Sequence, residues 1–232
     1  MSTERVALIT GATGGVGPDV VRAFADAGYM LAVTARHEEA LAGLRDELHV
    51  PPERWLAEPA DIGDPDAAQA LVARVARRFG SVDILVAVAG GWRGGSTVAE
   101  TDLETVAWLW RTNVLTALNA ARAALPLMIE RQWGRIVTIA ARSALGGQAR
   151  SGAYAASKAA LLALTQSIAA ETKNQGITAN TLLISTADTP ANRTAMPKAD
   201  PSHWVPPAQI AATIRFLCTD EAAAISGAAI PI

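Results

Sequence analysis

The sequence of 232 residues lacks the features that mark metal-binding or nucleic-acid-binding proteins. Its single cysteine, Cys218, excludes an internal disulfide and a zinc site built from cysteines. The three histidines, His37, His49 and His203, are scattered without the spacing of metal ligands. A formal net charge of −2 provides no basic surface of the kind that binds nucleic acid. We therefore expect neither a metal nor a nucleic-acid partner.

Long apolar stretches are absent as well. No run approaches the roughly 18 apolar residues that a membrane helix needs, so we expect no membrane partner. Residues 1–10 show no basic-then-apolar signal peptide, which predicts a cytoplasmic protein. Half of the chain is hydrophobic and 18% is charged, a composition that excludes disorder. We expect one domain over residues 1–232.

Short β-branched runs alternate with longer helical patterns along the chain. The nearly continuous apolar runs are typical of a parallel sheet that is covered on both faces. Asp64 before Pro65 predicts a helix start, and Thr101 with Glu104 predicts a capping box. We expect an α/β fold, a single doubly wound Rossmann-type parallel sheet of about seven strands with helices on both faces. The expected strands are 5–10, 30–35, 54–60, 82–88, 135–140, 177–184 and 228–232, and the expected helices are 17–27, 38–48, 65–79, 102–131, 152–174 and 208–219.

One irregular segment, residues 185–207, contains five prolines. Segments this long without regular structure are uncommon and often cover a binding site. We therefore expect a lid at about 185–207, with a plain surface excursion as the alternative.

A glycine-rich turn, TGATGGVG at residues 10–17, stands between the first expected strand and the first expected helix. Glycines let the chain turn tightly and let backbone N–H groups approach a pyrophosphate, while the helix N-terminus adds a positive dipole. This placement predicts a dinucleotide site. Its expected residues are Gly11, Thr13, Gly15, Val16 and Gly17.

Tyrosine and lysine are scarce, which makes one pairing of them informative. The chain has two tyrosines, and Tyr154 lies four residues before Lys158, so both share one face of an expected helix. A tyrosine hydroxyl has an ordinary pKa of about 10. A nearby ammonium, and the positive charge of an oxidised dinucleotide when present, would lower that pKa. Tyr154 would then act as a general acid.

The glycine spacing and the YAASK string at 154–158 resemble the short-chain dehydrogenase/reductase family, and the resemblance covers nearly the whole chain. It implies an enzyme, an NAD(P)-dependent oxidoreductase acting on a small molecule. It also implies that Lys158 holds the nicotinamide ribose and that Asn113 supports a water that relays protons. Further cofactor contacts are implied for Asp61, Ala89, Gly90, Tyr154 and Thr189.

The sequence departs from the family at two places. Ala87 and Val88 stand where the family has two asparagines, and we expect this to loosen or reshape the end of the sheet. Ala141 stands where the family has a serine that hydrogen-bonds the substrate carbonyl, thirteen residues before the tyrosine. Ser143 could share the face of Ala141 if the strand continued. Either the protein is a poor carbonyl reductase, with Ser143 or water replacing the serine, or its substrate does not need that hydroxyl.

The residues after the second expected strand indicate the choice of dinucleotide. In this family an acidic residue there is typical of NAD preference, but the tip reads Thr34-Ala35-Arg36. A guanidinium forms paired hydrogen bonds with a 2′-phosphate. We expect NADP(H), with NAD(H) less favoured; the alternative is that Arg36 is a solvated surface residue.

A closer resemblance is to the dihydropteridine reductase branch of the family. VAGGWRGG at 88–95 and DTPANR at 188–193 resemble its motifs, and that branch works without the serine. It typically prefers NADH and lacks the asparagine at position 113, so the match is incomplete. The branch implies a planar substrate, such as a quinonoid dihydropterin. The pocket residues that it implies are Trp92, Ala141, Ser143, Met196 and Trp204.

Three hypotheses for the function result. The first is an NADP(H)-dependent reductase of a small planar substrate such as a quinonoid dihydropterin. The second is a general carbonyl reductase or alcohol dehydrogenase of the same family. The third is a low-activity NADP(H)-binding sensor or structural protein, which the intact Tyr154, Lys158 and Asn113 disfavour. The alanine-rich stretches 116–125 and 155–170 would allow close helix contacts, and the resemblance implies a homodimer or homotetramer.

Overall fold

A computed structural model describes residues 5–232, which form a parallel sheet with helices around it. The strands are β1 (Val6–Thr10), β2 (Met30–Ala35), β3 (Trp55–Pro59), β4 (Ile84–Ala87), β5 (Gly134–Ala141), β6 (Ile177–Ile184) and β7 (Ala229–Pro231). The helices are α1 (Gly17–Asp26), α2 (Glu38–Leu48), α3 (Pro65–Phe79), α4 (Leu103–Trp110), α5 (Thr116–Arg131), α6 (Gly152–Glu171), α7 (Pro190–Ala195) and α8 (Pro207–Leu217). No helix among residues 5–232 combines the length and apolar character needed to cross a membrane.

The seven strands lie in the order β3-β2-β1-β4-β5-β6-β7, and every pair is parallel. One hydrophobic core joins the sheet to α1, α2 and α8, and it includes Phe24 and Ile214. A second core on the other face joins it to α3, α5 and α6, and it includes Leu71 and Met128. The predicted doubly wound α/β fold is confirmed. The chain reverses its direction across the sheet between β1 and β4, which places a ligand crevice at the carboxyl ends of these strands.

The central strands have the burial that their apolar runs predict. All residues of β1, β4 and β6 are buried, because helices cover both faces of the sheet. Ala87 pairs with both Thr10 and Thr138, and Val88 leaves the strand through a turn in which its N–H donates to the Val86 oxygen. Ala87 thus keeps its pairing with both neighbouring strands, and the expectation that the two residues loosen or reshape this end of the sheet stays a prediction.

The helix expected over 102–131 is interrupted. Residues Arg111–Leu115 form one π-helical turn between α4 and α5. The N–H of Thr116 donates to the oxygen of Arg111, five residues back, and the Thr116 hydroxyl donates to the oxygen of Thr112 at 2.7 Å. Single π turns of this kind are frequent at functional sites. The other predicted strand and helix ends differ from the structure by at most three residues.

The start of α4 also differs from the prediction. The Asp102 carboxylate caps this helix by accepting from the N–H of Thr105 at 2.6 Å. A capping box is present, but Thr97 and Glu100 form it in the preceding 3-10 turn. The capping box predicted for 101–104 is wrong because an aspartate beside it competes for the same helix end. Asp64 caps α3 as predicted, accepting from two backbone N–H groups.

The segment 185–207 contains more order than its sequence predicts. It includes α7 and a 3-10 turn, Pro201–His203. Ala187 and Val205 form a parallel bridge, and the Asp188 N–H donates to the Val205 oxygen at 2.9 Å. The two ends of the segment are therefore fastened together beside the sheet.

Candidate active site

The glycine-rich turn lies against the end of β4. A Cβ atom on Gly11, whose φ is +65°, would lie 2.7 Å from the backbone of Ala89. A Cβ atom on Gly17 would lie 2.2 Å from the oxygen of Gly11. Ala89 is tied to β1 in turn, because its N–H donates to the Thr10 hydroxyl at 3.3 Å. Both glycines are therefore required for the close approach of the turn, β4 and α1.

The same turn offers hydrogen-bond donors to an anion. The N–H groups of Gly14 and Gly17 donate within the turn, and the N–H of Ala12 donates to the Thr34 oxygen on β2. The N–H groups of Thr13, Gly15 and Val16 donate to no acceptor within residues 5–232. Cβ atoms built on Gly14 and Gly15 would meet nothing within 4 Å, so space is open outside the turn. Free donors, open space and the N-terminus of α1 together fit a dinucleotide pyrophosphate.

Arg36 and Asp61 lie at the neighbouring end of β2 and β3. Arg36 is exposed and forms no hydrogen bond or ion pair within the described chain. Asp61 accepts from Arg111 at 2.8 Å and from the Gly63 N–H at 3.0 Å. The Arg111 hydrogen bond is the main cause of a lowered Asp61 pKa, and the charge of Arg36 also contributes. Sequence reasoning missed Arg111, since no local pattern links positions 61 and 111.

Asn113 lies in the π turn and is fully buried. Its Oδ1 accepts from the Gly91 N–H at 2.8 Å, and its Nδ2 donates to the Gly91 oxygen and to the Ser157 Oγ, both at 3.0 Å. The Ser157 hydroxyl donates to the backbone oxygen of Tyr154 at 2.8 Å. One amide thus connects the π turn, the loop after β4 and the first turns of α6. Ser157 was also missed by the sequence analysis, although it lies between Tyr154 and Lys158.

Tyr154 and Lys158 lie on α6 beside the end of β5. The Lys158 side chain is buried, and its Nζ donates to the Ile139 oxygen at 2.9 Å. This Nζ lies 5.9 Å from the centroid of the Tyr154 ring. A Cβ atom on Gly90 would lie 3.2 Å from the same Nζ, so Gly90 lies close to the Lys158 amino group. The structure therefore brings Asn113, Tyr154, Lys158 and Gly90 together.

Burial moves the pKa values of Tyr154 and Lys158 in opposite directions. It raises the pKa of Tyr154 to about 12 and lowers the pKa of Lys158 to about 8. Low polarity disfavours the charged form of each group, which is the phenolate in one case and the ammonium in the other. The prediction that Lys158 lowers the Tyr154 pKa is wrong for the protein chain by itself.

Ala141 and Ser143 do not share a strand face. Ala141 is the buried last residue of β5, and the chain then turns through a 3-10 segment, Arg142–Ala144. Ser143 was expected to replace the missing serine only if the strand continued beyond Ala141, and the strand ends there. The Ser143 Oγ is buried and has no hydrogen-bond partner in the described chain. Within β5 the one hydroxyl residue is Thr138, whose hydroxyl forms hydrogen bonds with those of Thr165 and Thr181.

Trp92 lines a cavity of about 310 Å³ between the loop after β4 and the start of α6. Its side chain is 61% exposed. Met196 and Trp204 do not line this cavity, and Thr189 is buried, where its hydroxyl oxygen accepts from the Asn192 N–H at 3.2 Å. Of the five predicted pocket residues, Trp92 alone lines this cavity. The cavity lining is 92–94, Ser96, Thr101, Asp102, Thr105 and 150–153.

The sequence matches the short chain dehydrogenase family over residues 5–200, and the chain belongs to this family. A short chain dehydrogenase of Pseudocercospora fijiensis is 37% identical over 174 residues, 75% of this chain and 56% of that relative, so the chain spans little more than half of its length. The 3-oxoacyl-acyl-carrier-protein reductase FabG of Vibrio cholerae is 30% identical over 233 residues, 96% of this chain and 93% of that protein. The predicted class, an oxidoreductase of the short-chain family, is confirmed.

Solved structures agree with the fold. The crystal structure of gox2181 has a TM-score of 0.92 and 26% identity, with 98% of this chain and 93% of that chain covered. The structure of ElxO with NADP bound has a TM-score of 0.92 and 23% identity, with 98% and 96% covered. At this identity ElxO supports the fold alone. The resemblance to the dihydropteridine reductase branch stays a prediction from the sequence.

The buried Lys158 predicts an unusual pH dependence of stability. Its pKa is lowered from the ordinary 10.5 to about 8, so between these values only the unfolded chain keeps this proton. Because of this difference, the free energy of unfolding of the protein rises with pH in this range, by up to about 1.4 kcal/mol per pH unit. We expect wild type to gain stability relative to Lys158→Met between pH 8 and 10, as measured by urea unfolding.

Lys173→Met is the matched control, because Lys173 is exposed. Its stability difference from wild type should not change over the same pH range. A constant difference between wild type and Lys158→Met from pH 7 to pH 10 would contradict the lowered pKa.

Proposed function

We propose that the protein is an NADP(H)-dependent reductase that transfers hydride to a small carbonyl compound, with Tyr154 as proton donor. The observation that supports this most is the convergence of Tyr154, Lys158 and Asn113 beside the glycine-rich turn. Membership of the short-chain family supplies the reaction class. The cofactor would supply the hydride, and the free N–H groups of Thr13, Gly15 and Val16 would hold its pyrophosphate.

The pKa values of the pair fit this direction of proton transfer. With a pKa of about 12, Tyr154 keeps its proton at neutral pH and can donate it to the substrate oxygen. With a pKa of about 8, most Lys158 side chains still carry a charge at pH 7. The family resemblance assigns this ammonium to holding the nicotinamide ribose. Asn113 positions Gly91 and Ser157 around the pair through its three hydrogen bonds.

Arg36 supports NADP(H) as the dinucleotide. It is exposed at the end of β2, carries no partner within residues 5–232, and lies close enough to Asp61 to affect its pKa. A free guanidinium is a strong partner for a 2′-phosphate, whereas an acid at this place would repel it. Asp61 forms an ion pair with Arg111 at 2.8 Å, and this pairing weakens the repulsion between the Asp61 carboxylate and a 2′-phosphate.

The dinucleotide preference is tested by binding. NADPH should bind wild type at least about tenfold more tightly than NADH, because only NADPH carries the phosphate that pairs with Arg36. Arg36→Ser should weaken NADPH binding about 10- to 100-fold and change NADH binding little. Fluorescence titration gives both dissociation constants. Arg77→Ser, which removes an exposed arginine of α3, is the control, and equal affinities of wild type for the two dinucleotides would refute the preference.

Tyr154→Phe tests the proton donor. Removing the hydroxyl should lower kcat by about 10² to 10⁴, the usual contribution of a positioned general acid. NADPH binding should stay within about twofold of wild type, because the ring and its packing remain. Steady-state kinetics and fluorescence titration measure the two effects. Activity that survives the substitution would show that another group donates the proton.

A quinonoid dihydropterin is the second candidate substrate. Two observations favour it: Ala141 provides no hydroxyl for a carbonyl oxygen, and Trp92 exposes a flat indole along the cavity. A conjugated ring system accepts hydride without that hydroxyl, and an indole face packs well on a planar heterocycle. The motifs at 88–95 and 188–193 agree with this candidate.

Ala141→Ser separates the two candidates. Restoring the hydroxyl should raise carbonyl reduction by a factor approaching about 10², since one such donor typically contributes 10²–10³ in rate. Pterin reduction should change little. NADPH oxidation is measured with quinonoid dihydropterin and with a panel of ketones and aldehydes. No turnover with any compound, despite tight NADPH binding, would instead support the sensor or structural hypothesis.

We propose that the segment 185–207 is a lid and that it belongs to the same single domain as the rest of the chain. Its base is fixed by the bridge of Ala187 with Val205, whereas residues 194–200 are all exposed. The Asp188 carboxylate accepts two hydrogen bonds from Arg193, at 2.6 and 2.8 Å, which stabilise α7. A fixed base with an exposed tip is the arrangement that closing segments need.

The exposed side of α4 supports assembly into a homodimer or homotetramer. Leu103 is 83% exposed, Val106 39% and Trp110 46%, and their spacing places them on one side of the helix. Large apolar side chains at helical spacing are costly to leave in water and are typical of an interface. We infer that a second copy of the chain covers them.

A further inference from the structure

Arg93 has free hydrogen-bonding capacity in an unusual setting. It is half-buried in the loop after β4, and its Cζ lies 4.1 Å from the centroid of the Trp108 ring on α4. Within residues 5–232 its guanidinium forms no hydrogen bond and no ion pair. Stacking on an indole occupies the face of a guanidinium and leaves the N–H donors at its edge available. Arg93 is therefore a fixed cation with unused donors.

The cavity beside Arg93 adjoins the start of α6, the helix that carries Tyr154. Its lining includes Gly152 and Ala153, the two residues that precede Tyr154. Trp92 contributes an indole to the same cavity, and the volume of about 310 Å³ suits a small organic molecule. A ligand in this cavity can place one end near α6 and the other near Arg93.

The charges of the lining add up to one positive charge, from Arg93, Arg150 and Asp102. The Arg150 Nη1 already donates to the Gly95 oxygen at 2.9 Å. The Asp102 carboxylate accepts from the N–H and the hydroxyl of Thr105, at 2.6 and 3.0 Å, and so caps α4. Arg93 is thus the charged group of the lining that makes no hydrogen bond, and the net charge matches a monoanion.

We propose that this cavity selects substrates that carry a carboxylate, and that Arg93 binds the carboxylate while the carbonyl group lies at Tyr154. The inference rests on the proposed reductase function. It names the substrate class as an apolar or aromatic carbonyl compound with one carboxylate, its ring against Trp92. A guanidinium edge binds a carboxylate through two parallel hydrogen bonds, which also fixes the direction of the ligand.

The test compares 4-carboxybenzaldehyde with its methyl ester, which lacks the negative charge and is larger by one methyl group. Wild type should show at least about tenfold higher kcat/KM for the acid. Arg93→Gln should lower kcat/KM for the acid about 10- to 100-fold, mainly through KM, and affect the ester far less. Arg93→Lys should restore part of the preference, because it keeps the charge but not the paired geometry.

Arg77→Gln is the matched control, since it removes an exposed arginine that does not line the cavity. It should leave the preference for the acid unchanged. NADPH titration of each Arg93 variant shows whether the cofactor site is intact. An equal loss for acid and ester in Arg93→Gln would indicate a structural role and overturn the proposal.

Calorimetric titration of the same two compounds, with NADP⁺ present, separates the inference from the proposed function. Binding of the acid that is tighter than that of the ester and lost in Arg93→Gln supports the site, even if wild type reduces neither compound. Equal binding of acid and ester overturns it. A dianionic probe, 4-formylphenyl phosphate, should bind more weakly than the acid, and tighter binding would overturn the assignment to a carboxylate.

Discussion

The buried side chain of Asn113 holds the candidate site together. Its amide makes three hydrogen bonds, two to the backbone of Gly91 and one to Ser157 of α6. A buried amide that loses its partners is costly, so these bonds fix the loop after β4 and the start of α6 relative to each other. The π turn is what aims Asn113 into this position. A single π turn adds a residue to the helical turn and is frequent at functional sites, and here it carries the one side chain that joins these three elements.

Burial in this site separates two pKa values that are nearly equal in water. Tyrosine and lysine ordinarily lose their protons at 10.0 and 10.5, but here burial moves Tyr154 to about 12 and Lys158 to about 8. The same low polarity acts on both groups, because each shift opposes formation of a charge. Proximity to Lys158 is thus insufficient to make Tyr154 acidic, and the pair rests as neutral phenol and ammonium at neutral pH. Such a ground state favours donation of a proton by Tyr154 over its removal from a substrate.

Local patterns predicted the seven strands, the glycine-rich turn and the Tyr154–Lys158 pair, because each depends on residues close in sequence. The strands are buried on both faces, so their apolar runs are continuous. The π turn was not predictable in this way, since helical residues fill 102–131 and the bonds of Asn113 to Gly91 and Ser157 decide its position. The contact of Arg111 with Asp61 joins residues fifty positions apart and has no local signal.

Ala141 provides no hydroxyl, whereas Arg93 provides a free guanidinium. Both facts bear on how a substrate can be oriented in the site. A hydroxyl beside the reacting carbonyl fixes that carbonyl directly. A charged contact at the far end of a substrate also restricts its position, and binding energy from a remote group can be used to orient the reacting atoms. The lining of the cavity joins Arg93 to the residues before Tyr154. A chain without the hydroxyl can therefore still present a carbonyl to Tyr154, provided that its substrate carries a group that Arg93 binds.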